Sequence, residues 1–213
     1  MNTLNIVSFL GIFSTVGLYG LFHSWTASLG VKRWVRGQFG RGADRWYRLV
    51  YNLIAGVTFL PIFALLISLP DAMLYRIPSP WLWVMIAGQL AAAIVILIGI
   101  MQTGGFSFIG LSQLVSPPEE GSDSHLYSQG MYRWVRHPLY TAGLALIWLS
   151  PEITLNSFSL YMGFTAYIII GAYVEERKLV EEFGEAYVRY QKSTPMLIPG
   201  FPGKTPGKKT MEM

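Results

Sequence analysis

The sequence predicts an all-α integral membrane protein with about five transmembrane helices, on the basis of its composition and its hydropathy pattern. Of the 213 residues, 52% are hydrophobic and only 13% are charged, whereas soluble globular proteins carry about 25% charged residues. The apolar residues occur in runs of about 20, the length of helix that spans a bilayer core ~30 Å thick. Too few residues remain for a separate soluble cofactor domain, so any chemistry must be done by the spans and the loops beside them.

Five apolar runs account for the predicted spans, and the fourth run is short. It holds about 12 residues, fewer than the ~17 that usually cross a membrane, so we expect it to form a hairpin with the fifth run. Because no positively charged region precedes the first run, we interpret it as a retained span and not as a signal peptide. The runs cover residues 4–22, 49–69, 81–103, 139–150 and 158–174.

The charge distribution predicts the orientation of these spans. With five spans, all of the 16 lysines and arginines except Arg76 fall on one side of the membrane. Positive residues are retained on the cytoplasmic side, so we expect the amino terminus outside and the carboxy terminus inside, in a prokaryotic cytoplasmic membrane. The formal net charge of +4 then indicates contact with anionic membrane lipid and not with nucleic acid.

The residues after the last run predict an amphipathic carboxy-terminal helix. Leu179, Phe183, Tyr187 and Tyr190 recur at helical spacing, so one face of such a helix is apolar. Acidic residues cluster at its start and basic residues at its end, which suits the helix dipole. We therefore expect this helix to lie along the cytoplasmic face of the membrane.

Three polar clusters beside the predicted spans are candidates for chemistry, because charged groups in a membrane are expensive and usually functional. The first, residues 130–140, holds two arginines, a histidine and two tyrosines directly ahead of the fourth run. The second is Glu175-Glu176, where the last span meets the interface. The third combines His23-Ser24 at the end of the first span with Tyr47-Arg48 and Tyr51-Asn52 on the second.

Each cluster also has a structural interpretation that the residues alone leave open. Basic and aromatic residues form interfacial belts in membrane proteins, acidic residues compensate the dipole at a helix start, and a lone histidine at a helix end is commonly an interfacial polar group. A metal site is not expected, because His23, His125 and His137 lack ligand spacing and the chain has no cysteine. The absence of cysteine also excludes disulfides and a cysteine nucleophile.

Taken in order, the carboxy-terminal motifs resemble those of the membrane-embedded methyltransferases that include isoprenylcysteine carboxyl methyltransferase and phospholipid N-methyltransferase. Any one fragment is a weak signal, whereas the full ordered series with a span pair in between is specific. The series is Ser122-Asp123-Ser124-His125, Gly130-Met131-Tyr132, Arg136-His137-Pro138-Leu139-Tyr140, Gly143, Glu175-Glu176, Leu179, Phe183-Gly184, Tyr187, Tyr190, Pro195 and Ile198-Pro199.

The amino-terminal half resembles one branch of this group, the methanethiol S-methyltransferases and the NnrU-like membrane proteins. One position departs from the isoprenylcysteine branch, which carries an arginine tied to substrate binding one helical turn before its acidic pair. Here that position is Gly171, which argues against a prenylated-cysteine carboxylate as the substrate. The branch resemblance rests on Leu21-Phe22-His23-Ser24, Ala27-Ser28, Lys32, Tyr47-Arg48, Phe108-Ile109-Gly110-Leu111-Ser112-Gln113 and Thr194-Pro195-Met196.

The resemblance implies S-adenosylmethionine as the methyl donor, held at the cytoplasmic edge of the bundle without a metal. It also implies a small or lipophilic methyl acceptor, for which a thiol is one possibility. A thiol would need a base, for which Glu176 and His23 are candidates, with Arg48 and Asn52 on the substrate side. The implied cofactor contacts are His125, Leu126, Tyr127, Tyr132, His137, Pro138, Leu139, Tyr140 and Glu175.

With this resemblance, the chain is expected to form one structural unit with a loose end. Residues 1–103 are the three-span half, and residues 104–199 hold the cofactor-binding loop, the helical hairpin and the amphipathic helix. Residues 200–213, rich in proline, glycine and lysine, are expected to be a flexible tail. The interpretation requires the His137-Pro138 corner and the Glu175-Glu176 couple to meet at one cavity.

Two other functions remain open from the sequence. Sterol reductases share a related carboxy-terminal span pair and terminal helix, which suggests an NADPH-dependent reductase. Those chains are longer and have more spans than 213 residues can provide. A non-catalytic membrane accessory protein that has kept the pocket is the third possibility.

Overall fold

The structure is a computed structural model that describes residues 3–40, 42–102 and 126–200. Over these residues the chain is mainly helical, with one small two-stranded sheet. The elements in order are α1 (Thr3–Ala27), α2 (Leu29–Phe39), α3 (Ala43–Ser68), β1 (Met73–Arg76), α4 (Trp81–Gln102), a 3-10 turn (Gly130–Arg133), α5 (Pro138–Trp148), β2 (Glu152–Thr154), α6 (Leu155–Phe183) and α7 (Glu185–Ser193).

Four of the described helices, α1, α3, α4 and α6, are long and apolar enough to cross a membrane. The prediction of an all-α membrane protein is confirmed at this level. The predicted fourth span is α5, whose 11 residues give a length of about 16 Å at 1.5 Å per residue. A bilayer core is ~30 Å thick, so α5 reaches about half-way through it. The bundle therefore has four long helices and one short one within the described chain.

Helix α1 lies between α3 and α6 and packs on both. It runs parallel to α6, because the Ser159 hydroxyl donates to the Phe9 carbonyl at 2.6 Å and Gly163 faces Val16 further along. A small residue at such a crossing lets two helix backbones approach closely. The fully buried core of this part is formed by Ile12, Val16 and Ile62.

The partner of α5 differs from the one predicted. The short helix packs mainly on α4 and makes fewer contacts with α6, so the expected hairpin with the last span is not its main packing. Gly99 lies under Leu139, and Gly88 lies under Leu149, which makes α4 and α5 antiparallel. The physical reason is that the two glycines give α4 a flat surface on which leucines of α5 can rest.

A two-stranded antiparallel sheet joins the segment before α4 to the segment before α6. The Arg76 guanidinium pairs with the Glu152 carboxylate at 2.8 Å across this ribbon. The expectation of a purely helical chain did not include these strands, which are four and three residues long. Runs this short give no usable periodic signal in a sequence.

The carboxy-terminal helix also differs from the prediction, because α6 does not stop at the end of the apolar run. It continues without a break to Phe183, and Gly184, at φ +55°, then turns the chain into the short α7. A positive φ favours glycine, since it has no Cβ to clash with the backbone. The predicted amphipathic helix is thus divided between the last turns of α6 and α7.

After α7, residues 194–200 run alongside the segment that precedes α5, and we call them the carboxy-terminal strap. Gly200, placed in the predicted flexible tail, belongs to this strap, while residues 201–213 lie outside the described chain. The hydrogen bonds of the strap run from Arg136 N to Pro195 O at 2.9 Å, from His137 N to Met196 O at 3.2 Å, from Gly200 N to Trp134 O at 3.1 Å and from Thr141 Oγ1 to Leu197 O at 2.6 Å.

The crossing of α1 and α6 makes a testable prediction about Gly163. A Cβ at this position would lie 2.8 Å from Val16 Cγ1, so Gly163→Ala should lower the free energy of unfolding in detergent by about 1–3 kcal/mol. Gly17→Ala is the matched control, because nothing lies within 4 Å of its Cβ position. Equal melting temperatures for the two variants would contradict the close approach.

Candidate functional site

One cavity of about 460 Å³ lies at the amino-terminal end of α5. Its walls come from the segment before α5, the first turn of α5, the last turns of α6, and α7. All of the predicted cofactor contacts that the structure describes line it, and His125 lies outside the described residues. These lining residues are Leu126, Tyr127, Tyr132, His137, Pro138, Leu139, Tyr140 and Glu175.

Local sequence explains how the segment before α5 is positioned. Gly130, at φ +62°, begins the 3-10 turn that carries Tyr132, and the Tyr190 hydroxyl donates to the Tyr132 carbonyl at 2.6 Å. Pro138 occupies the first turn of α5, where its missing N–H costs no helical hydrogen bond. The first-turn N–H groups of α5 have no partner within the helix, so this end of α5 favours an anion.

The apolar face of the predicted carboxy-terminal helix lines the cavity. Leu179 and Phe183 of α6 and Tyr187 and Tyr190 of α7 all form part of its wall. Tyr187 is only 2% exposed, and burial raises the pKa of its phenol to about 12. Tyr187 therefore stays protonated and offers a neutral hydroxyl and an aromatic ring.

Arg136 lines this cavity and forms a buried ion pair with Glu176, which lies behind it. Arg136 Nε donates to Glu176 Oε1 at 2.6 Å, and Nη2 donates to Oε2 at 3.0 Å. Gln191 Nε2 also donates to Oε2, at 2.9 Å, while Arg136 Nη1 donates to the carbonyls of Gln191 and Thr194. The side chains of Arg136 and Glu176 are 10% and 8% exposed. This pair joins the segment before α5, α6, α7 and the strap.

His137 connects this pair to the cavity. Its Nε2 lies 3.2 Å from Glu176 Oε1 and its Nδ1 lies 3.8 Å from Glu175 Oε2, so each ring nitrogen faces one carboxylate. Its ring stacks on the ring of Tyr140, with centroids 5.3 Å apart. The residues of the histidine-proline corner and the acidic couple, about forty positions apart in the chain, thus meet at one place, as the sequence interpretation required.

The two adjacent carboxylates have different environments. The Glu175 side chain is 45% exposed and lines the cavity, and the Tyr140 hydroxyl donates to its Oε2 at 2.8 Å. Glu176, a predicted candidate base, does not line the cavity, and both of its oxygens accept hydrogen bonds. Glu175 can therefore meet a bound cation, while Glu176 is engaged within the protein.

The other candidates for catalysis and substrate binding lie beside the cavity and not in its wall. His23 of α1 is hydrogen-bonded to the hydroxyl of Tyr51 of α3, with Nε2 and Oη 2.5 Å apart. The His23 ring also meets the Tyr167 ring of α6, with centroids 6.3 Å apart. Arg48 is exposed and Asn52 half-buried on the same stretch of α3.

The sequence analysis placed Arg136 and Tyr51 in candidate clusters without assigning a role to either, and it did not identify Gln191. Arg136 lies within the recognised motif but is indistinguishable from an interfacial arginine until its partner is known. Gln191 gives no signal in the sequence, since it lies between Tyr190 and Lys192 in a short polar helix. Among the described residues, no group of three or more histidine, aspartate or glutamate side chains could hold a metal ion.

Comparison with known proteins relates the chain to named methyltransferases. It is 36% identical over 106 residues to the methanethiol S-methyltransferase of Pseudomonas deceptionensis, covering 49% of this chain and 40% of that protein. It is 27% identical over 205 residues to the methanethiol S-methyltransferase of Mycobacterium tuberculosis, covering 86% of this chain and 75% of that protein. To the protein-S-isoprenylcysteine O-methyltransferase of Saccharomyces cerevisiae it is 34% identical over 106 residues, covering 46% of this chain and 41% of that protein.

No protein-family model matches the chain, and no solved structure matches it. The sequence relatives nevertheless confirm the resemblance that the ordered motifs indicated. By sequence, the chain is similar to the methanethiol S-methyltransferases and, at a greater distance, to the protein-S-isoprenylcysteine O-methyltransferases.

Proposed function

We propose that the protein is a membrane methyltransferase that uses S-adenosylmethionine and methylates a small thiol. The observation that carries the proposal is the aromatic cavity into which Glu175 extends beside the first turn of α5. The names of the relatives support methyl transfer and, for most of those compared, a thiol acceptor. The orientation of the termini toward the two sides of the membrane is proposed as the charge distribution predicts.

The residues of the cavity suit this donor, which when bound supplies a methyl group on a positively charged sulfonium. Glu175 would pair with its cationic groups. The rings of Tyr127, Tyr132 and Tyr140 would enclose its flat adenine and lie beside the sulfonium. The first-turn N–H groups of α5, together with His137, would bind its carboxylate. Both the chemistry and the size of the cavity fit, since small-molecule sites usually occupy about 300–1,000 Å³.

The protein's contribution to the reaction is positioning and the exclusion of water. Transfer of a methyl group from a sulfonium to a thiolate neutralises charge, so a site of low dielectric that aligns the acceptor favours it. The ion pair of Arg136 and Glu176 orients the His137 ring. The strap accepts hydrogen bonds from the backbone N–H groups of Arg136 and His137. We assign Glu176 this positioning role and not that of a base, because both of its oxygens are engaged.

A thiol is preferred to a prenylated-cysteine carboxylate as the acceptor. A carboxylate substrate would need a cation near the acidic couple on the membrane side. At the position where the isoprenylcysteine branch carries an arginine, this chain has Gly171, and nothing lies within 4 Å of its Cβ position. Arg48 and Asn52 of α3 remain the proposed substrate-side residues.

Donor binding and methyl transfer test the proposal directly. Purified protein in detergent should bind S-adenosylmethionine with micromolar affinity, measured by calorimetry, and should methylate methanethiol, measured as a radiolabelled volatile product. NADPH should not bind, because the cavity offers one arginine and no second cation for a phosphate among its described lining residues. NADPH binding without donor binding would indicate a reductase, and donor binding without any transfer would indicate an accessory protein.

Glu175→Gln should weaken donor binding by about 10- to 100-fold. The change keeps the shape of the side chain but removes a charge-assisted hydrogen bond, which contributes about 1.5–3 kcal/mol. Glu181→Gln is the matched control, since Glu181 is exposed on α6 and does not line the cavity. Equal dissociation constants for Glu175→Gln and the wild type, measured by calorimetry, would remove Glu175 from the donor site.

Arg136→Met should destabilise the fold by about 3–5 kcal/mol, because it leaves the buried Glu176 carboxylate without its cation. Arg136→Lys should recover only part of that loss, since lysine cannot donate two parallel hydrogen bonds to a carboxylate. Thermal unfolding in detergent gives the comparison, with Arg133→Met, on the exposed side of the 3-10 turn, as the control. If Arg136→Met and Arg133→Met unfolded at the same temperature, the ion pair would not stabilise the site.

A further inference from the structure

A hydrogen-bonded pair of ionisable side chains occupies the end of α1 nearest the cavity. Tyr51 Oη and His23 Nε2 are 2.5 Å apart, and the two rings are tilted, with centroids 4.9 Å apart. Both residues lie on helices long and apolar enough to span a membrane. An ionisable group on such a helix is costly to keep and usually marks a site of function.

Ring contacts connect this pair to the helix that carries Glu175. The His23 ring meets the Tyr167 ring of α6 edge-on, with centroids 6.3 Å apart, and Ser24 Oγ lies 3.4 Å from Tyr167 Oη. Tyr167 lies about two helical turns before Glu175 on α6, which is about 12 Å at 1.5 Å per residue. Tyr51 does not line the cavity itself, so the pair lies beside the stretch of α6 that runs into the cavity.

We propose that the Tyr51 hydroxyl is the catalytic group that takes the proton of the acceptor thiol, with His23 as the positioning residue that receives the hydroxyl proton that Tyr51 gives up. This inference rests on the proposed function, since it assigns the acceptor side of the same site. The pair suits a neutral thiol that arrives from the membrane, because proton transfer to Tyr51 does not require the acceptor to carry a charge.

The proposed reaction moves one proton along the pair and one methyl group to the thiol sulfur. The thiol S–H bond breaks and its proton passes to Tyr51 Oη, while the Tyr51 proton passes to His23 Nε2. The thiolate sulfur forms a bond to the methyl carbon, and the bond between that carbon and the sulfonium sulfur breaks, with its electron pair remaining on the donor sulfur. The products are a thioether, the demethylated donor and a protonated His23, which returns its proton to solvent.

The same geometry has a structural alternative, in which the pair only ties α1 to α3. Tyr47 makes such a tie one turn away, where its hydroxyl donates to the Thr26 carbonyl. Tyr47→Phe therefore removes a hydroxyl bond between the same two helices without touching His23. It is the matched control for Tyr51→Phe.

The test compares Tyr51→Phe, His23→Gln and Tyr47→Phe on thiols of different acidity. With an alkanethiol at neutral pH, Tyr51→Phe and His23→Gln should lose about 100-fold or more in turnover, the contribution of a general base. With an aromatic thiol, which is ionised well below the pKa of about 8.5 of a free cysteine, the loss should shrink toward a few-fold. Tyr47→Phe should show the same small change with both thiols.

Two measurements that do not depend on turnover accompany these rates. The dissociation constant of the donor, from calorimetry, should be unchanged in all three variants. The ¹⁵N shift of the His23 ring should titrate at a different pH in Tyr51→Phe and at the wild-type pH in Tyr47→Phe. An unshifted titration in Tyr51→Phe would overturn the coupling of the two groups.

The outcomes separate this inference from the function on which it rests. If the wild type is active and Tyr51→Phe loses the same factor on acidic and ordinary thiols, the pair is structural and the inference is wrong. If the wild type methylates no thiol, the proposed acceptor is wrong, and the inference fails with it. If Tyr51→Phe melts at a much lower temperature than Tyr47→Phe, its lower turnover reflects lost stability. The turnover of His23→Gln on acidic and ordinary thiols then decides between the two roles.

Discussion

The buried ion pair between Arg136 and Glu176 is the interaction on which the candidate site depends. A pair with side chains only 10% and 8% exposed has lost most of its hydration, and that cost is offset only when every polar atom finds a partner. Here the remaining donors of Arg136 reach the carbonyls of Gln191 and Thr194. The pair therefore fixes four segments of the chain at one point.

This arrangement also explains why two neighbouring acids can do different things. Glu175 and Glu176 follow each other on one helix, so their side chains leave it about 100° apart. One is turned inward, where Arg136 neutralises it, and the other is turned toward the cavity. His137 lies between them and is oriented by both. The ion pair of Glu176 therefore fixes the part of α6 from which Glu175 reaches the cavity.

The helices could be predicted because their cause is local. Apolar runs of spanning length gave α1, α3, α4 and α6, and the shortness of α5 was visible in its own run. The ribbon of β1 and β2 could not be predicted, since its strands stabilise each other across a separation of about eighty residues. The continuation of α6 to Phe183 could not be predicted from hydropathy. The residues change from apolar to charged near the end of the predicted span, but the backbone continues as one helix.

The site was predictable only in part, and for a similar reason. The residues that line the cavity were named from an ordered resemblance, because no periodicity brings residue 137 to residue 175. The apolar face of Leu179, Phe183 and Tyr187 was recognised, but its periodicity did not show that it lines the cavity. A sequence pattern shows which face of a helix is apolar and leaves open what covers it. The role of Arg136 could not be predicted, because it lies entirely in the contacts of Arg136 with its partners.

The strap has a consequence for how the protein is made. Residues 194–200 supply carbonyls to the backbone of Arg136 and His137, yet they leave the ribosome about sixty residues after those two. The long helices can enter the bilayer while the corner at His137 still lacks its neighbours. Assembly of the cavity is therefore a late event, separated in time from membrane insertion, and the translated chain carries an unfinished pocket until its closing segment emerges.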